Sequence, residues 1–208
     1  TYDLDETIDV FEQHKNVEYS VAWIDCLAQG KNLGRSIVSL GEHSDSGSNE
    51  YNHKSKINIP FTMPSHMINY HSMKLFNNLY YNSNFKKVNS SEVSIDSFFY
   101  PLDSITNWNL LYGKSGFLQY QFVIPKSSGL SGLKSILEKI AGTKKGSILA
   151  VLKIFGKGNE NFLSFPIDGY TLALDFKISS DIFDILNEFD QIMIKYGGRI
   201  YLTKDSRM

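Results

Sequence analysis

The chain has little of what would single out a function at first sight. It carries one cysteine, Cys26, in 208 residues, which excludes an internal disulfide and fits a reducing compartment. Neither charge sign dominates: 21 basic and 22 acidic residues leave a net charge of −1 and are mixed along the chain. Without a basic stripe, nucleic acid is not an expected partner. No apolar run approaches the ~20 residues that span a bilayer. No signal segment is visible either, and the chain opens on Thr1 rather than Met. A removed upstream segment is therefore expected, with a cytoplasmic or membrane-peripheral location favoured over secretion. The common catalytic signatures are missing too: no GxGxxG after a strand, no P-loop, no GxSxG elbow and no CxxC pair. His14, His43, His53, His66 and His71 lie in unrelated contexts. His66 and His71 are five apart, which does not put them on one helical face, so no metal is expected.

What is present is aromatic. Twelve Tyr and fourteen Phe contribute to an aromatic share of 13%, suited to a sheet-rich domain or to a pocket for a flat or sugar-like ligand. Residues 3–15 predict a helix, with Asp3 and Glu6 at capping-box spacing and Leu4, Ile8 and Phe11 on one face. Strands at 18–28 and 34–43 predict a hairpin across the polar turn QGKN. Residues 44–54 read as a polar loop, INIPFTMPSH as extended chain, and 67–82 as a helix through Met67, Tyr70, Leu75, Leu79 and Tyr80.

The second half is more regular. Strands are predicted at 116–125, 147–156 and 169–178, and RIYL (199–202) makes a last one. Ser131 is the expected cap of a helix carrying Leu133, Ile136, Leu137 and Ile140 and ended by Gly142. Ser180 is the expected cap of a second, running from Ile182 past Met193 to a stop at Gly197-Gly198. The order strand–helix–strand–strand–helix–strand implies an α+β class. The expected architecture is a ferredoxin-like antiparallel sheet with helices on one face, extended by the N-terminal helix and hairpin. No linker divides the chain, so residues 1–208 are expected to form one domain.

Polar residues inside otherwise apolar strands are the candidate site. Gln119 and Gln121 share a strand face, as do Lys153 and Phe155, and Thr171 and Ala173, because strand side chains repeat every two residues. Lys204 follows the last strand. A lysine within an apolar strand must reach water, a partner or a cavity. These groups line either the wet side of an antiparallel sheet or a concave ligand site with a few polar groups among aromatics.

The segments VAWIDCLAQGKNLGRSIVSLGEH, FFYPLDSITNWNLLYGKSGFLQYQFVIP, LKIFGKGN, FPIDGYTLALDF and GGRIYLTKDSRM together resemble the C-terminal half of the decaprenylphosphoryl-β-D-ribose 2′-oxidases. These are flavoenzymes of the vanillyl-alcohol-oxidase-like group that also includes the aldonolactone oxidases. The resemblance runs in order across nearly the whole chain. It implies a substrate-binding, flavin-capping domain, with the N-terminal FAD-binding domain lying outside this chain as its partner. FAD would be the cofactor of the full-length protein and would not be held by this part alone. The reaction implied is oxidation of a sugar hydroxyl, on a free or lipid-linked sugar, to a ketone. In the family this is the first half of an epimerisation, which implies a second, reductase partner. By resemblance Lys204 sits beside flavin and substrate, while Tyr100, Gln119, Gln121, Lys153, Phe155, Thr171 and Ala173 line the substrate pocket. A second reading stays open from the residues themselves: a stand-alone sugar or small-ligand binding module with no redox role.

Overall fold

Asp3 has extended backbone, and its carboxylate accepts the Glu6 N–H at 2.8 Å. The side chain thus satisfies one of the free amides at a helix start. Helix α1 (Leu4–Gln13) follows and buries Leu4, Ile8 and Phe11. The structure is a computed structural model and describes residues 1–45, 57–84 and 86–207. The expected hairpin forms from β1 (Tyr19–Ile24) and β2 (Ser36–Gly41), paired antiparallel. β1 is shorter than the expected 18–28 because Asp25 turns the chain. Its buried carboxylate accepts Arg35 Nη2 at 2.7 Å, Asn77 Nδ2 at 2.7 Å and the Leu27 N–H at 3.1 Å. From residue 46 on, the polar loop expected at 44–54 lies outside the described residues, and His53 with it.

The middle of the chain holds β3 (Ile57–Asn58), α2 (Tyr70–Asn82), α3 (Ile95–Phe99) and β4 (Ile105–Thr106), with β3 and β4 paired parallel. Helix α2 starts later than expected, on an Asn69–Ser72 capping box. Its inward face also differs from the expected one. Leu75 and Leu79 are exposed, whereas Met73 and Asn77 are buried. The Asn77 bond to Asp25 explains this orientation, since a buried carboxylate without donors is far costlier than an exposed leucine.

The rest is the predicted alternation: β5 (Phe117–Pro125), α4 (Lys126–Thr143), β6 (Ala150–Phe155), β7 (Gly169–Lys177), α5 (Ile182–Lys195) and β8 (Arg199–Ile200). The main sheet runs β2-β1-β6-β7-β5-β8, with every neighbouring pair antiparallel. Its β6-β7-β5-β8 part has the ferredoxin-like strand order, and the hairpin extends it beyond β6, as expected. One side is dry. Leu118, Tyr120, Phe122 and Ile124 of β5, with Leu172, Leu174 and Phe176 of β7, join the apolar faces of α1, α4 and α5 in the core.

Several helix and strand limits differ from expectation. α4 begins at Lys126, directly after Pro125, so Ser131 lies inside it and caps nothing. The helix continues past Gly142 to Thr143, and Lys144 leaves it with φ 58°. α5 is preceded by Asp181 rather than capped by Ser180. Of RIYL, only Arg199–Ile200 pairs as strand, and Leu202–Lys204 forms a 3₁₀ turn. The stop after α5 is as expected: Gly197 takes φ 67°, and the Gly198 N–H reaches the Met193 carbonyl at 2.8 Å.

Gly129 explains why α4 lies so close to the sheet. A Cβ there would stand 2.4 Å from the Tyr170 ring. Helix propensity alone makes Gly129→Ala stabilising by about 1 kcal/mol, but overpacking against a buried ring costs roughly 1–3 kcal/mol. Contact wins at that distance. Gly129→Ala is expected to lower the urea midpoint of unfolding with an unchanged m-value, and a raised midpoint would refute the packing argument.

Candidate functional site

The β5–β7 register pairs Gln119 with Asp175, Gln121 with Ala173 and Val123 with Thr171. On the other side β6 pairs Val151 with Ala173, Lys153 with Thr171 and Phe155 with Gly169. Directly opposed residues share a sheet face. Gln119, Gln121, Lys153, Phe155, Thr171 and Ala173 therefore share the side away from α1, α4 and α5. Of the expected residues on the strands, all six are brought together.

Hydrogen bonds order this face. Gln119 Nε2 donates to Asp175 Oδ1 at 2.6 Å, and Gln121 Nε2 to Thr171 Oγ1 at 3.2 Å. Thr171 Oγ1 in turn donates to the Phe122 carbonyl at 2.8 Å. The two amides are thus held through their nitrogens. Lys153 is exposed and forms no ion pair among the described residues. Aromatic rings border the polar strip at one end, where Phe165 packs edge-on to Phe155 at 5.6 Å and stacks on Tyr201 at 4.7 Å.

Lys204 reaches the same region along the chain's closing segment. The Tyr201 N–H donates to the Gln121 carbonyl at 2.8 Å, which lays the 3₁₀ turn beside β5. The Lys204 ammonium is exposed, stands 5.9 Å from the Tyr201 ring centroid and has no carboxylate partner among the described residues. Its charge is nonetheless felt by Asp175. Burial pushes that carboxyl above the usual aspartate range, while the Gln119 bond and Lys204 pull the other way.

Tyr100 is not brought to this group. It is 55% exposed after α3 and touches Phe99, which packs on Tyr19 of β1. β1 is three strands from β5, a separation of about 14 Å at ordinary strand spacing. Two cavities also lie elsewhere. One of about 430 Å³ is lined by Thr62, Asn109, Leu110, Gly113, Lys114, Gly116 and Phe117. Another of about 340 Å³ lies between Tyr70, Met73, Lys144 and Phe176. Neither is lined by any of the expected site residues; the candidate site is the sheet face left open by α1, α4 and α5, on which Lys153 is exposed, Gln119 and Gln121 are half-buried, and Thr171 and Asp175 are buried.

Asp175 lies on the same face, bonded to Gln119, but is absent from the sequence-based set. The signal is there, since the period of two through Thr171 and Ala173 continues to it. Cys26, by contrast, is inert: burial pushes its thiol up to about 12. Among the described residues no cluster of His, Cys, Asp or Glu could hold a metal, and no helix is long and apolar enough to cross a membrane.

A double ion pair pins the segment that carries Lys204. Arg207 donates Nη1 to Asp190 Oδ2 at 2.8 Å, Nη2 to Asp205 Oδ2 at 2.6 Å and Nε to Asp205 Oδ1 at 2.9 Å. The Tyr120 hydroxyl donates to the same Asp190 at 2.8 Å. The Arg207 bond holds the Asp205 carboxyl below the usual range against the opposing effect of burial. Its contribution to stability is therefore present above the ordinary carboxylate range and is lost as pH falls through the depressed value. Arg207→Gln is expected to lower amide-exchange protection at Lys204 and Asp205 by roughly tenfold, leaving Tyr120 and Phe122 protected. Acidification below the ordinary aspartate range should have the same local effect. Unchanged protection in the variant would show that the clamp does not hold the turn.

No family model matches the chain. Individual relatives do. The chain is 33% identical over 218 aligned residues to the decaprenylphosphoryl-beta-D-ribose oxidase of Mycolicibacterium smegmatis, an alignment that takes in 100% of this chain and 47% of that protein. A shorter match, 31% identical over 77 residues, covers 36% of this chain and 21% of an uncharacterized protein in the mprA 5′ region of Streptomyces coelicolor. This chain thus spans about half the length of the oxidase it matches. The resemblance read from the motifs holds from end to end: this chain is similar, over its whole length, to a decaprenylphosphoryl-beta-D-ribose oxidase.

Proposed function

We propose that residues 1–208 form a substrate-binding and flavin-capping domain of an FAD-dependent oxidoreductase that oxidises a sugar hydroxyl to a ketone. The observation that carries this reading is the open face itself. Gln119, Gln121, Thr171 and Lys153 converge there beside the exposed Lys204, on a chain similar throughout to a ribose oxidase.

The residues present fit one side of such a cofactor. Lys204 is an accessible cation on an open face, with no carboxylate among the described residues to neutralise it, which suits the electron-rich edge of a reduced isoalloxazine ring. No glycine-rich phosphate-binding loop is present, so the phosphates of FAD would be held by a domain outside this chain. When bound, FAD supplies the hydride acceptor for the carbinol carbon.

The chain's own groups do the positioning. Gln119 and Gln121 have their amide nitrogens committed to Asp175 and Thr171. Their carbonyl oxygens then serve as acceptors for sugar hydroxyls. Lys153 adds a donor on the neighbouring strand, and Phe155 offers an apolar ring for a sugar face. Lys204 would stabilise the negative charge that the reduced ring carries once the carbinol carbon has given up its hydride, a preorganised electrostatic role, while the hydroxyl proton would pass to a base or water. A lipid-linked ribose and a soluble sugar or lactone are both compatible with this reading. The partner implied by a ketone product is a reductase that returns it to an alcohol of inverted configuration.

Two measurements test the reading. In the full-length enzyme, Lys204→Ala is expected to slow flavin reduction by sugar about 10²–10³-fold, while stability changes by no more than about 0.5 kcal/mol. A wild-type reduction rate would remove Lys204 from the mechanism. Residues 1–208 alone are expected neither to retain FAD nor to turn over sugar. A yellow, active preparation of this part would overturn the domain assignment, whereas sugar binding without any redox activity in the full-length protein would favour a binding module.

A further inference from the structure

One group on the open face has no role in that scheme. The Asp175 side chain is 4% exposed, stands opposite Gln119 in the register, and accepts its amide nitrogen at 2.6 Å. The Asp175 backbone N–H is held separately by Ser147 Oγ at 2.9 Å. The groups that face the carboxylate are few. From β5 there is the neutral Gln119 amide, and from the 3₁₀ turn after β8 the Lys204 cation. From the turn before β5 comes Tyr112, 2% exposed, with a buried hydroxyl that has no hydrogen-bond partner among the described residues and whose ionisation the Asp175 charge opposes. Ser147 lies on the β6 side. Among the described residues no arginine and no second carboxylate acts on it.

This arrangement couples charge to orientation through elementary hydrogen-bond chemistry. An ionised carboxylate only accepts, so it must be met by the amide nitrogen of Gln119. A protonated one donates, and the amide oxygen then becomes the better partner. The two ends of a carboxamide are nearly equal in size, so the exchange needs no change in packing.

We propose that Asp175 is a positioning residue whose charge state sets which end of the Gln119 carboxamide faces the substrate. Ionised, it holds Nε2 and leaves Oε1 to accept from a sugar hydroxyl. Protonated, it holds Oε1 and turns the NH₂ group outward, which withdraws that acceptor. The substrate half of this statement rests on the proposed sugar reading, whereas the coupling between the two side chains does not. Burial places the change above the usual aspartate range, and the Lys204 cation opposes that displacement.

The test uses the full-length protein labelled with ¹³Cγ-aspartate and ¹⁵Nε-glutamine. The Asp175 carboxyl is expected to titrate above the ordinary aspartate range, with the Gln119 side-chain amide signals moving at the same midpoint. Lys204→Met is expected to raise that midpoint. Asp175→Asn, which keeps the shape and an acceptor oxygen, should abolish the amide titration. In turnover, KM for the sugar should rise about fivefold as pH falls through the midpoint, the size of one neutral hydrogen bond. That step should be absent in Asp175→Asn, whereas a purely structural role would leave it in place. A Gln119 signal that stays flat while Asp175 titrates would overturn the proposal, whatever the substrate. A shared midpoint with no step in KM would support the side-chain coupling and overturn the sugar reading of the face. The wild-type titration needs no variant, so it decides the coupling even if Asp175→Asn folds poorly.

Discussion

The structure depends on the register between β5 and β7. Nine residues of each strand pair without interruption, from Phe117 with Lys177 to Pro125 with Gly169. Because side chains alternate, this one alignment sends Leu118, Tyr120, Phe122 and Ile124 to the dry side and Gln119 and Gln121 to the other. A slip by one residue would exchange the two sets. Burying two amides under three helices while exposing Tyr120 and Phe122 would be prohibitively unfavourable, so the core enforces the register and the register assembles the site. The close approach at Gly169 belongs to the same constraint. A Cβ there would meet the Ile124 carbonyl oxygen at 2.1 Å, so only glycine lets the ladder continue to its last pair.

The helices serve that alignment from behind. α4 lies against the sheet through Gly129 and Gly132, where added methyl groups would strike Tyr170 and Ile124. α5 contributes Phe189 to the core and Asp190 to its rim, and the Tyr120 hydroxyl reaches from the dry face of β5 to that aspartate. Burial pushes the Tyr120 hydroxyl well above its ordinary range, so it stays neutral and donates. Packing and the closing segment therefore meet at one carboxylate. Asp190 receives Tyr120 from the core and Arg207 from the chain beyond β8.

This division explains what is legible in the sequence and what is not. The strand–helix alternation from 116 onward is legible because each element carries one strong period, two or 3.6. The stop at Gly197-Gly198, the shared face of Gln119 with Gln121 and that of Lys153 with Phe155 follow from the same local rules, whereas the β5–β7 and β6–β7 registers bring the two pairs together. The features that depart from expectation depend on distant partners. Ser131 looks like a cap because nothing local says that Gly129 and Gly132 are helical, and only the Tyr170 ring across the interface does. The inward face of α2 escapes its own periodicity because Asn77 is buried for the sake of Asp25, 52 residues away. Tyr100 is a candidate by family likeness alone, and its place beside Phe99, near the start of β1, depends on contacts that no periodicity encodes. Asp175 is passed over although it lies inside the strand expected at 169–178 and local spacing points to it, because its partner Gln119 sits on another strand.

Asp205, which follows Lys204 in the chain, and Asp175, on which Lys204 acts, respond to pH in opposite senses, and this follows from their partners. Asp205 gains an arginine on folding, so its folded value lies below the unfolded one. Its contribution to stability is present above the ordinary carboxylate range and disappears as pH falls through the depressed value. Asp175 gains burial without an arginine, so its folded value lies above the unfolded one. Its neutral form favours folding below the ordinary range, and that advantage is lost as pH rises through the raised value. Between the two values the clamp on the Lys204 segment is intact while Asp175 changes state. Within that window pH acts on the orientation of groups on the open face without loosening the turn that carries the cation. Below it the turn itself is released. Electrostatics thus separates two events that a single shared carboxylate would have merged, and it does so with one arginine placed three residues after Lys204.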